Sequence, residues 1–360
     1  MIGSRIKQAR EAAGLSQRDL AAACGVSAMA ISKYERGELT PSSQVLGAVA
    51  EALDVRVEYF FRTRSVALEK LEFRKHARLP AKQEQRVLAD ARDQIERWLE
   101  LEDLLPNEWA KPFSVPPGVP KRIRSGDDIE RAALAVRKAW GLGVEPIVNL
   151  IEVLEDQGLK VLVSEHATAA KFDGLAAEAN GHTVILVGAD QPGDRQRFTV
   201  AHELGHLVLE DRLDPEAFQG EEDEEKACHR FAGAFLAPSE QVVAALGKRR
   251  SRIEFPELYL LKQQWGLSMA AWTFRARDLG IINKSAMSKL WAILRARKWH
   301  ETEPGDQYPK EQPRRFQRLV FRALAEDLIG ESKAAEMLGI SQIELIKKRN
   351  LDFSNGADHQ

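Results

Sequence analysis

The sequence has 360 residues, of which 44% are hydrophobic and 29% charged, and its formal net charge is −2. This balance is ordinary for globular proteins, and the length allows two or three domains. The near-neutral charge excludes DNA binding through a global positive field, so any DNA contact must come from local basic faces. There is no run of about 18 apolar residues, so no membrane span is expected. Two cysteines are too few for a disulfide framework, and the N-terminus lacks the apolar core of a signal peptide, so a cytoplasmic protein is expected.

The first predicted domain covers residues 1–61, which read as short helices separated by turn residues. Ser16 is placed to cap a helix that begins at Gln17, Gly25 ends that helix, and Ser27 caps the next one. A small helical core is predicted from the apolar residues Leu20, Ala21, Val26, Ile31 and Leu46. The stretch resembles the Cro/repressor-like, XRE-type helix-turn-helix domain. The resemblance implies that the helix capped by Ser27 enters the DNA major groove and that Gln17 contacts a phosphate.

The recognition helix of this motif, Ser27 to Arg36, offers little for reading bases. Ala28 and Met29 stand at the usual base-reading positions, and neither can make the bidentate hydrogen bonds that discriminate bases. The candidate DNA-binding residues are Gln17, Ser27, Ser32, Lys33 and Arg36. We expect weak or broad DNA binding; the alternative is a helical module that serves as a protein-docking or dimer surface, and a homodimer is one expected assembly.

Residues 62–122 are predicted to be a helical and proline-rich connector. A basic segment up to Pro80 precedes an amphipathic helix, "AKQEQRVLADARDQIERWLELEDLL", in which Val87, Ile95 and Leu99 stand near helical spacing. The next stretch, "PNEWAKPFSVPPGVPKR", has five prolines, a density that blocks helix formation and favours extended chain. A domain boundary is therefore expected here.

From 123 to 238 the pattern changes to mixed α and β. Two helices are predicted, over "IERAALAVRKAW" and over "EPIVNLIEVLEDQG", and "LKVLVSE" is predicted to be a strand. A hairpin is predicted for "DGLAAEANGHTVILVGAD", with Asn180 and Gly181 at its turn. Two further helices follow, of which the second, "EEDEEKACHRFAGAFLAP", is expected to end at Pro238.

The first of these two helices carries the strongest chemical signal, "RFTVAHELGHLVLE". Side chains four residues apart lie on one face of an α-helix, so His202 and His206 are able to offer two imidazole nitrogens to one cation. Zinc accepts nitrogen donors in a tetrahedral shell, and Glu203 is placed to take a proton from a water that the metal activates. Apolar neighbours predict that the helix is buried, and buried imidazoles need partners. The pattern predicts zinc-dependent hydrolysis.

A catalytic zinc needs a third protein ligand, and the next helix offers several candidates. They are Glu221, Glu222, Asp223, Glu224, Glu225 and His229. Most of this acidic run is expected to face solvent. The apolar residues Cys228 and Ala232 mark the buried side, and counting back by three or four residues puts Glu225 at its edge. Glu225 is the first candidate, and His229 is expected either to support the ligands or to act as the alternative one.

Together these segments resemble the ImmA/IrrE family of metallopeptidases over about residues 158–238. A strand pair, the "RQRFT" lead-in, the zinc helix and the "EKACHRFAGAFLAP" helix come in the family's order. The resemblance implies a zincin-like fold and assigns roles to four residues, the general base Glu203 and the zinc ligands His202, His206 and Glu225. His229 stands where the family commonly has Asn. Family members typically cut a partner repressor of the helix-turn-helix type, often after DNA damage, and some are thought to be stimulated by single-stranded DNA.

Residues 239–360 are predicted to form a C-terminal helical domain. Basic clusters such as "GKRRSR" and "PRRFQR" stand among the aromatic residues Trp265, Trp272, Trp291, Trp299 and Phe316. Arginine with aromatic residues suits single-stranded nucleic acid, whereas tryptophans more often form the core of a helical domain. The stretch "SKAAEMLGISQIELIKKR" resembles a second helix-turn-helix, with Gly339 at the turn and Ser341 as cap.

The expected fold class is α+β, with an all-α helix-turn-helix domain, a zincin-like domain with a small β-sheet, and a C-terminal helical domain. The first functional hypothesis is a zinc endopeptidase that cleaves a helix-turn-helix repressor in a stress, DNA-damage or phage-defence switch, with DNA as a stimulator. The second is a transcription regulator whose helix-turn-helix binds an operator duplex and whose peptidase-like domain is a sensor. A third is an antitoxin whose partner is a toxin encoded nearby.

Overall fold

The computed structural model describes residues 2–62, 66, 68–69, 80–105, 111–167, 172 and 174–351, and it confirms an α+β fold. The helices are α1 Ile2–Ala12, α2 Gln17–Cys24, α3 Ala28–Glu35, α4 Ser43–Ala52, α5 Ala81–Leu104, α6 Gly126–Ala139, α7 Leu150–Asp156, α8 Gly193–Leu209, α9 Glu221–Leu236, α10 Ser239–Leu246, α11 Phe255–Trp265, α12 Met269–Asp278, α13 Lys284–Ala296, α14 Arg315–Ala325, α15 Glu331–Leu338 and α16 Gln342–Arg349. The strands are β1 Leu68–Glu69, β2 Lys160–Ser164, β3 Gly174–Ala179 and β4 His182–Gly188. Short 3₁₀ helices cover Val57–Phe61 and Glu210–Arg212. Most of the basic segment before Pro80 lies outside the described residues.

The described residues pack into two compact units. The first unit contains those within 1–68, 79–111 and 314–360, and the second contains those within 69–78 and 112–313. The helices predicted after Ser239 are present, and they divide between the units: α10 to α13 belong to the second, and α14 to α16 to the first. Within the described part of the chain, no helix combines the length and apolar character that a bilayer crossing requires.

The N-terminal helices begin and end where the capping residues predict. Ser16 accepts a hydrogen bond from the Asp19 backbone N–H while the Asp19 side chain accepts one from the Ser16 N–H, a reciprocal cap that starts α2. Gly25 ends α2 in the left-handed region, and the Ser27 side chain caps α3 by accepting from the Ala30 N–H. Of the predicted core residues, four are buried and the fifth is partly buried beside them: Leu20, Ala21, Ile31 and Leu46, then Val26.

Helix α5 shows the predicted amphipathic pattern, and it packs against α1 and α14 in the first unit. Its residues Val87, Ile95 and Leu99 are buried. A buried ion pair between Arg5 and Glu96 joins α1 to α5. Residues 112–122 of the second unit run without helix or strand, as their prolines predict.

The sheet has the strand order β1-β3-β4-β2. Strand β2 runs parallel to β4, and β3 runs antiparallel to it with Ala179 opposite His182. Asn180 and Gly181 connect β3 to β4 with positive φ angles of 49° and 80°, which a two-residue hairpin turn requires. The predicted strand and hairpin are therefore confirmed.

Helix α8 packs against β3, β4 and α9 in the second unit. Val200, Leu204 and Val208 of α8 share one buried cluster with Val187 of β4 and Phe231 of α9. This packing holds one face of the helix in the core. Helix α7 begins later than the sequence predicts, because Asn149 caps it by accepting from the Glu152 N–H.

The aromatic residues predicted among the basic clusters do not form one surface. Trp265 and Trp272 are 3% and 0% exposed in the core of the second unit, and Trp291 and Trp299 are partly buried there. Phe316 belongs to the first unit, where its ring centroid lies 5.2 Å from that of Trp98. Most of these aromatic residues therefore contribute to hydrophobic packing, as the alternative to nucleic-acid binding predicts.

Candidate metal centre

Helix α8 carries both histidines and the glutamate of its motif into the second unit. His202 and Glu203 are 7% and 5% exposed, and His206 is half-buried. Val200 before the motif and Val208 after it are fully buried, so the backbone of α8 is fixed by packing on both sides of the motif.

Helix α9 supplies a carboxylate to the same place. Glu225 Oε2 lies 3.2 Å from His202 Nε2, and Glu225 Oε1 lies 3.4 Å from His206 Nε2. The two Nε2 atoms are 3.1 Å apart. Two nitrogen donors and one carboxylate from two helices therefore converge on one point.

These separations fit a tetrahedral metal ion. Ligand atoms about 2.0–2.1 Å from a zinc ion stand about 3.3 Å apart along the edges of a tetrahedron. The two Nε2 atoms are 3.1 Å apart, and each lies 3.2 to 3.4 Å from one oxygen of Glu225, Oε2 for His202 and Oε1 for His206, so each of these separations is close to that value. The residues present are therefore able to hold an ion of this geometry, with a fourth position for another group.

His229 stands beside these donors, one turn beyond Glu225 on α9. Its ring centroid lies 4.4 Å from that of His202, and one ligand atom from each of His202, Glu225 and His229 lies within 4.8 Å of the others. The Nδ1 atom of His229 is 2.7 Å from the Glu225 backbone oxygen. Because a carbonyl oxygen only accepts, Nδ1 carries the proton, and the lone pair of the neutral ring is on Nε2.

Gly205 permits the close approach of α8 and α9. A Cβ atom at this position would stand 3.2 Å from Phe231 Cδ1 and 3.3 Å from the backbone of Cys228. A side chain there would push α9, and with it Glu225, away from α8. Cys228 is 1% exposed at this contact, which agrees with a packing role.

Residues 303–311 anchor α8, although no pattern in the sequence predicts that role. Arg197 forms a buried ion pair with Glu311 and donates to the Ile147 backbone oxygen at 2.8 Å. Gln196 exchanges two hydrogen bonds with the backbone of Glu311, at 3.1 and 2.9 Å. Glu311 stands in a polar segment far along the chain, so no local pattern marks it as a partner of the metal-site helix.

Lys262 of α11 is a second buried anchor for the start of α8. Its Nζ lies 3.1 Å from Asp194 Oδ2 and 3.0 Å from Glu303 Oε2. Burial acts to lower the pKa of Lys262, but the two carboxylates outweigh burial and raise the pKa above its ordinary value. The lysine therefore stays charged inside the unit and links the first turn of α8 to residue 303.

A cavity of about 600 Å³ adjoins the donor group. Its lining includes His229, whose ring centroid lies 4.4 Å from that of His202, and the aromatic residues Phe198, Phe274, Trp291 and Trp299. Its size is that of pockets that enclose small molecules or short peptide segments. The cavity belongs entirely to the second unit.

The candidate DNA-binding residues lie on or beside α3 in the first unit. Gln17 donates to Glu35 Oε2 at 2.7 Å, and Arg36 pairs with Glu38 and donates to Ser32 Oγ at 2.6 Å. Ser27 is engaged as the cap of α3, while Lys33 and the neighbouring Met29 are exposed, Met29 by 69%. The structure thus brings the five predicted residues to one region, and several of them already hold intramolecular partners: Gln17, Ser27, Ser32 and Arg36.

Two family models match this chain. A helix-turn-helix model matches residues 6–60, and an IrrE N-terminal-like domain model matches residues 154–277. The chain therefore contains an XRE-type helix-turn-helix domain followed by an IrrE-like peptidase domain, and these two of the three resemblances seen in the sequence are confirmed.

Three curated relatives match parts of the chain. The "Radiation response metalloprotease IrrE" of Deinococcus radiodurans is 41% identical over 76 residues, 19% of this chain and 23% of the relative. The "Uncharacterized transcriptional regulator in ATPase CF(0) region" of Rhodospirillum rubrum is 45% identical over 60 residues, 17% of this chain and 56% of the relative. "Endothelial differentiation-related factor 1" of Homo sapiens is 36% identical over 56 residues, 16% of this chain and 38% of the relative. Each match spans less than two thirds of the relative's length.

Proposed function

We propose that this protein is a zinc endopeptidase that cleaves a partner repressor of the helix-turn-helix class, in a stress, DNA-damage or phage-defence switch that DNA stimulates. The convergence of His202, His206 and Glu225 on one point, with Glu203 in the same buried helix, is the observation that carries the proposal. The IrrE-like domain supports a metallopeptidase-type activity. A cytoplasmic location and a homodimer stay predictions.

In this proposal, the chain's own residues divide the work. His202, His206 and Glu225 hold the zinc ion, which when bound polarises the substrate carbonyl and makes a water more acidic. Glu203 accepts the proton of the attacking water and delivers it to the leaving amine as the peptide bond breaks. His229, with its Nδ1 held by a backbone oxygen, keeps its ring beside His202, where it helps to position the substrate.

The cavity beside His229 supports a peptide as substrate. Its lining includes Phe198, Phe274, Trp291 and Trp299, so the segment on either side of the scissile bond is expected to carry large apolar side chains. A helix-turn-helix repressor has such side chains in its core and in its dimer-forming surface. Local opening of the repressor would present them to the cavity.

The test is incubation of the zinc-loaded protein with the repressor encoded beside it, with and without single-stranded and duplex DNA, and with fragment masses as the readout. We expect one cut that DNA accelerates. Glu203→Gln should retain zinc and structure but slow the cut by at least 10²- to 10⁴-fold, the usual contribution of a general base. Glu240→Gln, which changes an exposed carboxylate on α10, is the matched control and should cut normally. An intact repressor with bound zinc under all conditions would refute the proposal.

A regulator that cuts nothing is the second candidate function. The helix-turn-helix match over residues 6–60 favours it, and the R. rubrum relative is named as a transcriptional regulator. In this case the peptidase-like domain acts as a sensor, and Glu203→Gln should change nothing. A gel shift on the duplex upstream of the gene tests the operator binding that this second function requires, and the salt concentration must be stated because phosphate contacts make affinity depend on salt.

A further inference from the structure

The C-terminal helices α15 and α16 repeat the geometry of α2 and α3. Each pair consists of two helices of eight residues joined by three residues, Gly25 to Ser27 in one and Gly339 to Ser341 in the other. The two glycines have φ of 67° and 66° and ψ of 28° and 27°. Both serines cap the second helix from an extended backbone conformation. The turn between the helices is therefore the same structure in both motifs.

The cores of the two motifs correspond as well. When the two motifs are aligned at Gly25 and Gly339, four apolar positions pair, and the two residues of each pair are buried to a similar degree. The pairs are Leu20 with Ala334, Ala21 with Ala335, Val26 with Ile340, and Ile31 with Leu345. The second motif therefore packs as a helix-turn-helix does, although the matching family models stop at residues 60 and 277.

The second helices differ in what they present to solvent. Gln342 and Ile343 take the places of Ala28 and Met29, the first positions of a recognition helix, which contact base edges in such motifs. An amide side chain can make two hydrogen bonds to adenine, and an apolar side chain can contact the thymine methyl group. In α16 every residue except Leu345 is exposed, and its last turn is basic, with Lys347, Lys348 and Arg349. The second motif therefore has the base-reading group that the first one lacks.

The second motif is held firmly in the first unit. Arg56 donates to the Ser332 backbone oxygen at 3.0 Å, and Arg97 donates to the Met337 backbone oxygen at 2.8 Å. Both arginines contact α15, the first helix of the motif. Neither of these two contacts involves α16, which is exposed to solvent. Within the motif, Gln342 Nε2 donates to Ser332 Oγ at 2.6 Å, which restrains the amide.

From this geometry we infer that residues 331–349 are a second DNA-binding helix-turn-helix, in which Gln342 reads an adenine and Lys347 and Lys348 contact phosphates of duplex DNA. The inference does not depend on peptidase activity. It assigns sequence discrimination to α16, while α3 contributes phosphate contacts and broad affinity.

The test is selection of bound sequences from a duplex pool with about 20 randomised base pairs at fixed salt, using the full chain. The wild-type protein should enrich a sequence with a required adenine. Gln342→Ala should bind that sequence roughly 5- to 150-fold more weakly and lose the adenine preference, because one bidentate contact is removed. The double variant Lys347→Ala, Lys348→Ala should weaken binding to all sequences and lower the salt slope by about 1 for each lysine. All these side chains are exposed, so the variants should fold, and circular dichroism checks that they do.

The controls are Gln219→Ala and Lys284→Ala, which remove the same exposed side-chain types in the second unit and should change neither affinity nor preference. Three results would overturn the inference. The first is no enrichment by the wild-type protein. The second is an unchanged preference in Gln342→Ala. The third is a change of oligomeric state in Ile343→Ser with DNA binding intact, which would assign α16 to protein contact instead.

Discussion

The candidate metal centre of the second unit and the helix-turn-helix motifs of the first unit differ in how exposed their candidate functional side chains are. His202 and Glu203 are 7% and 5% exposed, whereas Met29 and Ile343 are each 69% exposed. The buried donors are oriented by neighbours on several elements, such as Glu225 on α9. Met29 and Ile343 stand on helices whose direction is set by the serine cap and the glycine turn before each helix.

Because of this difference in burial, a substitution should affect stability and function together at the buried site, but mainly function on the exposed helices. In the buried centre, a change in a supporting residue should alter both the fold and the donor geometry, because interiors are close-packed and ion pairs there are hard to replace. On the exposed helices, a change should alter binding while leaving the fold almost unaffected.

The largest loss of stability is expected when Glu311, the buried ion-pair partner of Arg197 on α8, is changed. Glu311→Gln removes the charge that pairs with Arg197 and leaves a buried guanidinium uncompensated, which typically costs about 3–5 kcal/mol. The free energy of unfolding, measured by urea denaturation, should fall by that amount, and zinc affinity should fall with it. The control Glu301→Gln changes an exposed carboxylate nearby and should stay within about 0.5 kcal/mol. Equal effects in both variants would refute an anchoring role for residues 303–311.

Loss of one donor should be the next largest effect. His206→Ala removes one of the two imidazoles that lie 3.1 Å apart, so zinc affinity should fall by at least about 100-fold. Competition with a coloured chelator measures this directly. His182→Ala, at the start of β4, is the matched histidine control and should bind zinc normally. An unchanged affinity in His206→Ala would instead indicate a site built from His202, Glu225 and His229.

Local signals in the sequence predicted much of the fold and of the candidate site. Helical spacing placed His202 and His206 on one face, and the edge of an apolar face pointed to Glu225. Caps and turn residues placed α2, α3 and the β3–β4 hairpin. These features depend on residues within a turn or two of each other, and such patterns are visible without tertiary structure.

The features that the sequence did not predict depend on distant contacts. Glu311 anchors Arg197 across more than a hundred residues, and nothing in the sequence around this buried glutamate distinguishes it from acidic residues that are exposed. The C-terminal helices were expected to form one domain after Ser239, but they divide between two cores. Such an assignment depends on which apolar faces meet, for example Phe316 with Trp98, and helical periodicity carries no information about that.

A moderate loss of stability, equal in the two helix-turn-helix motifs, is expected when the capping serines Ser27 and Ser341 are changed. Ser27→Ala and Ser341→Ala each remove a side-chain acceptor for a backbone N–H at the start of a recognition helix, at a cost of about 1 kcal/mol each. The two costs should add in the double variant if the motifs are independent. Thermal unfolding followed by circular dichroism measures them, with Ser43→Ala, just inside α4, as the control. An effect in Ser27→Ala alone would show that the motifs are not equivalent.

The smallest effect on stability, with a clear effect on binding, is expected for Lys33. Its side chain is exposed on α3, so Lys33→Ala should change the free energy of unfolding by less than about 0.5 kcal/mol. If Lys33 contacts a phosphate, the slope of log affinity against log salt should fall by about 1, and all duplex sequences should be affected equally. Fluorescence anisotropy on a 30-base-pair duplex at several salt concentrations checks this, and Lys289→Ala on α13 is the control. A loss of sequence preference in Lys33→Ala would contradict the division of labour in which α3 supplies affinity and α16 supplies discrimination.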